Sequence, residues 1–581
     1  MKCNQQQDGF SPRKLPMVLA VAAMVMSARA MAADPTNSAS SLQMSDDIGD
    51  AQGLPQLMQQ GASPSAPQTN SQSAPQPTPV TSKPATTGEA VKKDPPGRVR
   101  VPYLSAEEKK RIVDEVRGQV MEQAKRENWA APGTVPEWVR KMNFYGDMRT
   151  RFEGDFYDKA KNDATMFNFQ AINAGAPINT QPPAQGQPIT LPFLNTTENR
   201  QQLRIRLRFG FNVDITDDLQ TAVRLATGNA TNPVSANQSF GDDFNKLNIL
   251  LDRAYIRYAP VKSFVTTLGR MPNPYTTGTD LVWSNELSFD GLSLQWKPNW
   301  KDNLFRVASG MYLVENTDPN YPGNSQVKQH GGAKWLFATQ LEALHTFSHD
   351  QTFRADLSYY DYMNIQGKLS SPCFAPNSSV ACDTDSSRPG YQQKGNTLFS
   401  IRDLQVVNQG DPTYQYFGLA TPFRIASLGL SYDKKLSGPL HLAADLDFAR
   451  NMAFNRGRID ARQPVNNLGP CSPGVGTCTQ SFDGGNNGLQ LQTRIGYPSP
   501  HESGQWQGTL GYRRIESDAV VDAFTDSDFH LGGTNSKGYY IGGIYSFAHN
   551  ATLSARYLAA SEVTGPPLTI DVLQFDVGIR F

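Results

Sequence analysis

The stretch from Arg200 to Val213 carries the pattern that most constrains the fold. Apolar side chains occupy every second position from Leu203 to Val213, and mostly arginine, glutamine or asparagine fills the positions between them. A repeat of two residues places all the apolar side chains on one face of a β-strand. One face of this strand is apolar and the other carries a row of arginines. This pattern is unusual for a soluble β-sandwich, but it fits a strand with lipid on one side and water on the other.

The same period of two runs from Met142 to the last residue, so we predict about sixteen strands. The expected strands begin at Met142 and Arg200 and continue near 219–228, 249–259, 264–271, 287–297, 303–313, 334–345, 352–361, 423–433, 440–450, 488–496, 506–516, 538–547, 551–559 and 570–581. The alternation in 264–271 fits either phase, so the direction of Arg270 stays open.

The connections between these strands alternate in length. Short ones such as Pro260–Ser263 and Ala548–Asn550 take turns with long ones such as 362–422 and 451–487. Short turns on one side and long loops on the other are typical of outer-membrane barrels, whose short turns lie in the periplasm. The predicted fold class is therefore all-β: a transmembrane antiparallel β-barrel over 138–581.

The final nine residues, Leu573 to Phe581, also alternate between apolar and polar or small. We expect this strand to pair with the one that begins near Met142 and to close the barrel, because closure leaves no strand edge exposed to lipid. The terminal aromatic would then lie in the periplasmic aromatic girdle.

The N-terminal part of the chain is predicted to lie outside the barrel. Residues 1–33 read as a secretory signal peptide, with a basic start, an apolar run and A-x-A cleavage patterns. Residues 34–98 are rich in Pro, Ser and Gln and predict a disordered periplasmic tether. Residues 99–131 predict an amphipathic helix, either a short trimeric coiled coil or a helix that packs on the barrel mouth or another envelope component.

Four cysteines remain after the signal peptide, in two close pairs. They are Cys373 with Cys382 and Cys471 with Cys478, each in a stretch rich in loop-forming residues. An exported chain with an even number of locally spaced cysteines favours two loop disulfides. Neither pair has the spacing of a metal-binding motif, and no metal or other cofactor is expected.

Several charged residues are expected to point into the barrel and to line a pore. They are Asp147, Arg149, Arg151, Arg204, Arg206, Arg208, Arg224, Arg253, Arg257, Asp445, Asp447, Arg494 and Asp576. Most of the arginines belong to the first four strands and more of the acids to later ones. This distribution suggests a basic wall opposite an acidic wall, with a mild preference for anions. The alternative is that the arginines are solvated wall residues with salt-bridge partners.

A barrel of about sixteen strands is too wide for its side chains to fill, so it leaves an aqueous channel. A long loop that folds inward would narrow it. The candidates are 229–247, with Phe240, Asp242, Asp243 and Lys246, and the insertion 158–199.

Short motifs in a fixed order resemble a family of bacterial outer-membrane porins that carry a charged helical segment before the barrel. The matching stretches are Val135–Trp138, Phe144–Arg151, Leu268–Pro274, Tyr359–Tyr362, Tyr512–Ala519 and Gly532–Gly538, and the likeness spans about 104 to 581. The resemblance implies an outer-membrane location, passive passage of solutes and no catalytic residues. It also implies that Phe581 is a recognition signal for the barrel-assembly machinery.

The expected partners are outer-membrane lipid, small polar or anionic solutes and, by analogy with general porins of this size, two further copies in a homotrimer. Nucleic acid is not expected, because Lys and Arg number 54, Asp and Glu number 54, and no basic domain stands out. Two other functions are weighed against the porin: a surface adhesin that presents the stapled loops, and an outer-membrane hydrolase.

Overall fold

The computed structural model describes residues 108, 110–111, 113–116, 141–181, 191–300, 303–323, 325–329, 332–408, 410–469 and 481–581. The predicted signal peptide, the predicted tether and both Cys471 and Cys478 lie outside these residues. The chain divides into two units, one with residues 1–31 and 135–581 and the other with residues 32–134. In the second unit the described residues, which run from 108 to 116 with gaps, are helical.

The described residues of the first unit form a closed antiparallel barrel of sixteen strands, as the sequence predicts. In chain order they are β1 Met142–Tyr157, β2 Arg200–Asp214, β3 Leu219–Thr227, β4 Ile249–Val261, β5 Phe264–Pro272, β6 Ser288–Trp296, β7 Asn303–Glu315, β8 Lys334–Ser348, β9 Gln351–Met363, β10 Arg424–Lys435, β11 His441–Asn451, β12 Asn487–Gly496, β13 Trp506–Ile515, β14 Ser536–Ala548, β15 Ala551–Glu562 and β16 Thr569–Arg580. Each strand pairs with its neighbour in the chain.

The alternation read from the sequence becomes an outer and an inner face. The apolar side chains at every second position, such as Leu203 and Phe575, are exposed on the outer face. The side chains between them face the interior. An apolar outer face lowers the free energy of the barrel in lipid, and paired strands leave no backbone group unsatisfied there. In the described part of the chain, no helix is long and apolar enough to cross a membrane.

Strand β1 closes the barrel by pairing with β2 on one side and with β16 on the other. Arg151 stands opposite Asp576, and Met148 opposite Ile579. Two residues beyond Met148 and Ile579, Gly146 and Phe581 exchange backbone hydrogen bonds of 2.8 and 3.0 Å. The expected pairing of the first and last strands is therefore confirmed.

Shorter elements lie in the long connections. The helices are Phe169–Asn173 and Arg456–Asp460, and single 3-10 turns cover Asp385–Ser387, Asp522–Phe524 and Phe529–Leu531. The short strands are Ile178–Asn179, Gln238–Ser239, Asn299–Trp300, Pro372–Cys373, Leu398–Ser400, Asp403–Leu404, Tyr414–Gln415 and Phe417–Leu419. A disulfide joins Cys373 to Cys382, one of the two predicted bridges.

The seam next to Phe581 leaves no room for a side chain at Gly146. A Cβ there would lie 2.5 Å from the Phe581 ring and 2.8 Å from the carbonyl oxygen of Arg208. We expect Gly146→Val to destabilise the barrel by about 1–3 kcal/mol, the usual cost of overpacking. The measurement is the free energy of unfolding in detergent micelles. The folded fraction is read from the different mobility of folded and unfolded barrel in gel electrophoresis.

Gly543→Val is the matched control. It lies on the same outward face of another strand, and its Cβ would have no neighbour closer than 3.8 Å. Equal losses of stability in the two variants would contradict the steric explanation.

Candidate functional site: the barrel interior

The connection between β5 and β6, residues 273–287, folds into the barrel; we call it the inner loop. Its first part follows the wall formed by β7 and β8. The Tyr275 hydroxyl lies 3.0 Å from that of Tyr312, and Thr276 donates from its backbone N–H to Gln340 at 2.8 Å and from its hydroxyl to Glu342 at 2.9 Å. Buried hydrogen bonds to a charged acceptor are among the stronger ones in proteins, so this part is firmly held.

The middle of the inner loop reaches β11 and β12. The Asp447 carboxylate accepts from the backbone N–H of Thr279 at 2.7 Å and from its hydroxyl at 2.6 Å. Asp280 accepts from Gln490 at 2.9 Å and lies 3.8 Å from the Arg513 guanidinium. Asp447, expected in the pore lining, is therefore an anchor for the loop.

The last part of the inner loop returns to the opposite wall. Trp283 is buried against Phe289 and Tyr360, with ring centroids 5.0 and 5.1 Å apart. Glu286 then accepts from Arg206 at 2.5 Å and from Arg208 at 3.0 Å. Because the loop spans from β12 to β2, it narrows the interior.

Of the two loops proposed from the sequence, 229–247 touches the inner loop through the buried Val234, whose carbonyl accepts from the Ser284 hydroxyl at 3.3 Å. The named residues of 229–247, from Phe240 to Lys246, are exposed. The short helix Phe169–Asn173 of the 158–199 insertion packs instead on Phe417 of the long connection between β9 and β10. The sequence did not name the inner loop as a candidate, because the loop is held by aromatic and carboxylate contacts that a linear reading does not reveal.

A second connection, residues 516–535, also reaches inward. Its Asp528 accepts from Arg151 at 3.0 Å and from Arg556 at 3.2 Å. Its Phe524 ring packs on Trp283 of the inner loop, with centroids 6.2 Å apart. The two connections therefore support each other inside the barrel.

Most of the predicted interior residues are joined in ion pairs, and the acids are interleaved with the arginines. The closest contacts are Arg149–Asp576 at 3.8 Å, Arg151–Asp576 at 2.7 Å, Arg204–Glu153 at 2.7 Å, Arg206–Asp147 and Arg208–Asp147 at 2.8 Å, Arg224–Asp252, and Arg494–Asp445 at 2.6 Å. Arg253 donates to the Ser288 hydroxyl at 3.3 Å, and Arg257 shows no ion pair among the described residues.

The expected basic wall opposite an acidic wall is therefore only partly present. Glu286 and Asp528, which come from the loops, and Asp147 and Asp576, which come from the closing strands, neutralise the arginines next to them. Sequence reasoning had no means to find Glu286 and Asp528 as counterions, because loop residues carry no periodicity.

The 516–535 connection is held from outside by the β9–β10 connection. Asp518 accepts from the backbone N–H of Thr397 at 2.9 Å and from its hydroxyl at 2.5 Å. Asp522 exchanges backbone and side-chain hydrogen bonds with Asn396, at 2.8 and 3.4 Å. Burial raises the pKa of Asp522 to about 7 and that of Asp518 to about 6.

We expect docking of these connections to weaken as the pH rises from about 4 to 7. A carboxyl whose folded pKa is raised prefers its neutral form in the fold, so its ionisation costs stability above its unfolded pKa. Lys394, Tyr391 and Asp518 are the other titratable groups beside Asp522. Asp522→Asn should flatten this pH dependence in hydrogen exchange of residues 516–535, whereas the exposed control Asp242→Asn should leave it unchanged. An unchanged profile in Asp522→Asn would contradict the assignment.

Asp447→Ala tests the anchoring of the inner loop. Each lost hydrogen bond to a charged acceptor is worth about 1.5–3 kcal/mol, so release of the loop should become at least about tenfold more frequent. The expected result is a noisier single-channel current with more frequent high-conductance events. The control is Asp290→Ala, which removes an exposed carboxylate that pairs with Arg270 on the outer face. A quiet, unchanged current in Asp447→Ala would show that Asp447 does not hold the loop.

A family match agrees with this architecture. The model of the family described as "Putative porin" matches residues 48–581. No curated protein is significantly similar in sequence. Solved structures with a similar trace include OmpF of Salmonella typhi in complex with daunomycin (12% identity, TM-score 0.35, covering 76% of this chain and 97% of that one). The channel DcaP of Acinetobacter baumannii shows 11% identity and a TM-score of 0.34, covering 76% of this chain and 97% of that one.

OprB of Pseudomonas putida shows 11% identity and a TM-score of 0.39, covering 77% of this chain and 96% of that one. These scores are too low to carry over any residue or substrate. The family match spans most of the chain and includes the whole barrel. The chain therefore belongs to this porin family, whose members are channels of the bacterial outer membrane.

Proposed function

We propose that this porin lets small hydrophilic solutes and ions diffuse passively past the inner loop, with a mild preference for anions. The observation that supports the preference is the orientation of the interior ion pairs. In several of them the carboxylate lies against the wall and the guanidinium faces water. Beside those pairs, a solute in the channel would meet more positive than negative surface.

The exposed fractions of the paired side chains support this orientation. The Arg494 side chain is 35% exposed and its partner Asp445 4%. The Arg556 side chain is 33% exposed and Asp528 15%. The order is reversed in other pairs: the Arg206 side chain is 14% exposed against 21% for Asp147, and the Arg151 side chain is 2% exposed against 11% for Asp576. Arg494 lies on β12 and Arg556 on β15, away from the first four strands, so the preference does not depend on the basic wall expected from the sequence.

The proposal includes no chemical step and therefore no enzyme activity. It also includes three partners expected from the sequence: outer-membrane lipid around the apolar face, two further copies in a homotrimer, and the barrel-assembly machinery. Phe581 would serve the last of these as a signal. The residue is 65% exposed, so a partner could reach it in the folded barrel.

A salt gradient across a planar bilayer tests the anion preference. We expect a reversal potential of the anion-selective sign for the native channel, and a shift toward cations in Arg494→Glu, because the variant replaces an exposed positive charge with a negative one. The control is Arg270→Glu, on the outer face beside Asp290, which should leave the reversal potential unchanged.

A cation-selective native channel, or no shift in Arg494→Glu, would remove the anion preference but not the pore. Complete absence of solute flux in liposome swelling would remove the pore and favour the adhesin, with the Cys373–Cys382 loop as the binding surface.

A further inference from the structure

Strand β4 contains one extra residue at Asp252. In the pairing with β3, Leu219 stands opposite Tyr258 at one end and Arg224 stands opposite Arg253. The next pair is Leu225 with Leu251, so no residue of β3 stands opposite Asp252. Such a bulge shifts the alternation by one position. Two neighbouring residues, Asp252 and Arg253, are therefore both available to the interior.

The two charged side chains of this bulge, Asp252 and Arg253, have different partners. Asp252 is taken by Arg224, which donates to it from its side chain on the adjacent strand. Among the described residues Arg253 forms no ion pair; it donates to the neutral hydroxyl of Ser288 at 3.3 Å and is attracted to Asp252 without touching it. Arg224 and Arg253 therefore share one carboxylate, which leaves one positive charge in excess.

Arg257 lies on the same inward face of β4, two positions beyond Tyr255. The residues on either side of Arg257, Ile256 and Tyr258, are exposed on the outer face, which fixes the direction of Arg253 and Arg257. Neither arginine forms an ion pair within the described ranges, whereas the other interior arginines predicted from the sequence do. A net charge of about two therefore remains uncompensated on this part of the wall.

Two tyrosines complete the cluster. Tyr145 of β1 and Tyr255 both interact electrostatically with Arg253, and in the described residues neither hydroxyl has a hydrogen-bond partner. Between Tyr145 and Arg253, the cross-strand row passes through Gly210 and Arg224. Gly210 has no side chain, so no side chain stands between the tyrosine and the arginines in this row.

The cluster lies on the periplasmic side of the inner loop. The row of Asp147 and Arg208, to which Glu286 is bound, is two residues nearer the long loops than the row of Tyr145 and Gly210. A solute that has passed the inner loop would therefore meet these free donors next.

We propose that Arg253, Arg257, Tyr145 and Tyr255 form a binding station for the oxyanion of a small solute, a carboxylate or a phosphate. Guanidinium groups bind such groups through paired charge-assisted hydrogen bonds, and phenol hydroxyls add neutral donors. The station rests on the proposed function, since it acts on solutes already inside the channel. It would hold an anion weakly, as a channel requires, because its donors stay in contact with water.

Competition in single channels tests the station. The current carried by chloride is measured while potassium acetate or potassium phosphate is added at constant ionic strength. In the native channel we expect the chloride current to fall and to saturate with the added oxyanion. In Arg253→Gln/Arg257→Gln the half-saturating concentration should rise at least about tenfold, since two charge-assisted contacts are lost.

The matched control is Arg494→Gln/Arg556→Gln, which removes the same charge from the interior but from arginines with carboxylate partners. It should shift the reversal potential and keep the saturation. Saturation by acetate alone assigns a carboxylate site, and saturation by phosphate alone assigns a phosphate site. The proposal is overturned if the native channel does not saturate, or if both double variants lose saturation equally.

The chloride current itself separates this proposal from the proposed function. A conducting native channel without saturation would overturn the station and leave the porin intact. Loss of the current in every variant and in the native protein would overturn the proposed function. Folding of each variant is checked by the mobility shift of the barrel, and Arg253→Lys/Arg257→Lys, which retains the charge, should recover part of the saturation.

Discussion

Backbone hydrogen bonding in lipid is the constraint on which the rest of this structure depends. A strand in hydrocarbon must have both edges paired, and only a closed barrel provides this for all strands. Closure through β1 and β16 fixes which face of each strand meets lipid. The apolar outer face, the charged inner face and the alternation in the sequence are consequences of that single requirement.

Closing a barrel of sixteen strands has a second consequence, which concerns the width of the interior. The interior is too wide for the wall side chains to fill. The inner loop narrows it, and the loop remains inside because buried aromatics and Asp447 hold one half while Arg206 and Arg208 hold Glu286. The arginines of the wall thus serve the loop as well as the solute.

The strands could be predicted because the alternation of apolar and polar residues within each strand indicates which side chains face lipid. The expected range 249–259 became Ile249–Val261, and the inward directions of Arg204 and Arg494 followed from their exposed apolar neighbours. The bulge at Asp252 could not be predicted from the sequence, because one extra residue only interrupts the alternation of apolar and polar positions. Arg270 could not be assigned from the sequence; it lies on the outer side, paired with Asp290.

The interior contacts could not be predicted, since they join distant parts of the chain. Glu286 meets Arg206 across 80 residues, and Asp528 meets Arg151 across 377. Loop residues have no period that reveals their direction, so neither the inner loop nor its counterions had a local signal. The disulfide between Cys373 and Cys382 could be predicted because the partners are only nine residues apart.

The pairing of β1 with β16 also has a consequence for how the barrel forms. The ion pair of Arg151 with Asp576 joins positions 425 residues apart, so the closing contact bears the largest loop-closure entropy in the barrel. Until that contact forms, β1 and β16 both present unpaired edges that can recruit other strands. The slow and aggregation-prone stage of assembly should therefore be localised to these two strands, and whatever assists assembly has most to gain by shielding them.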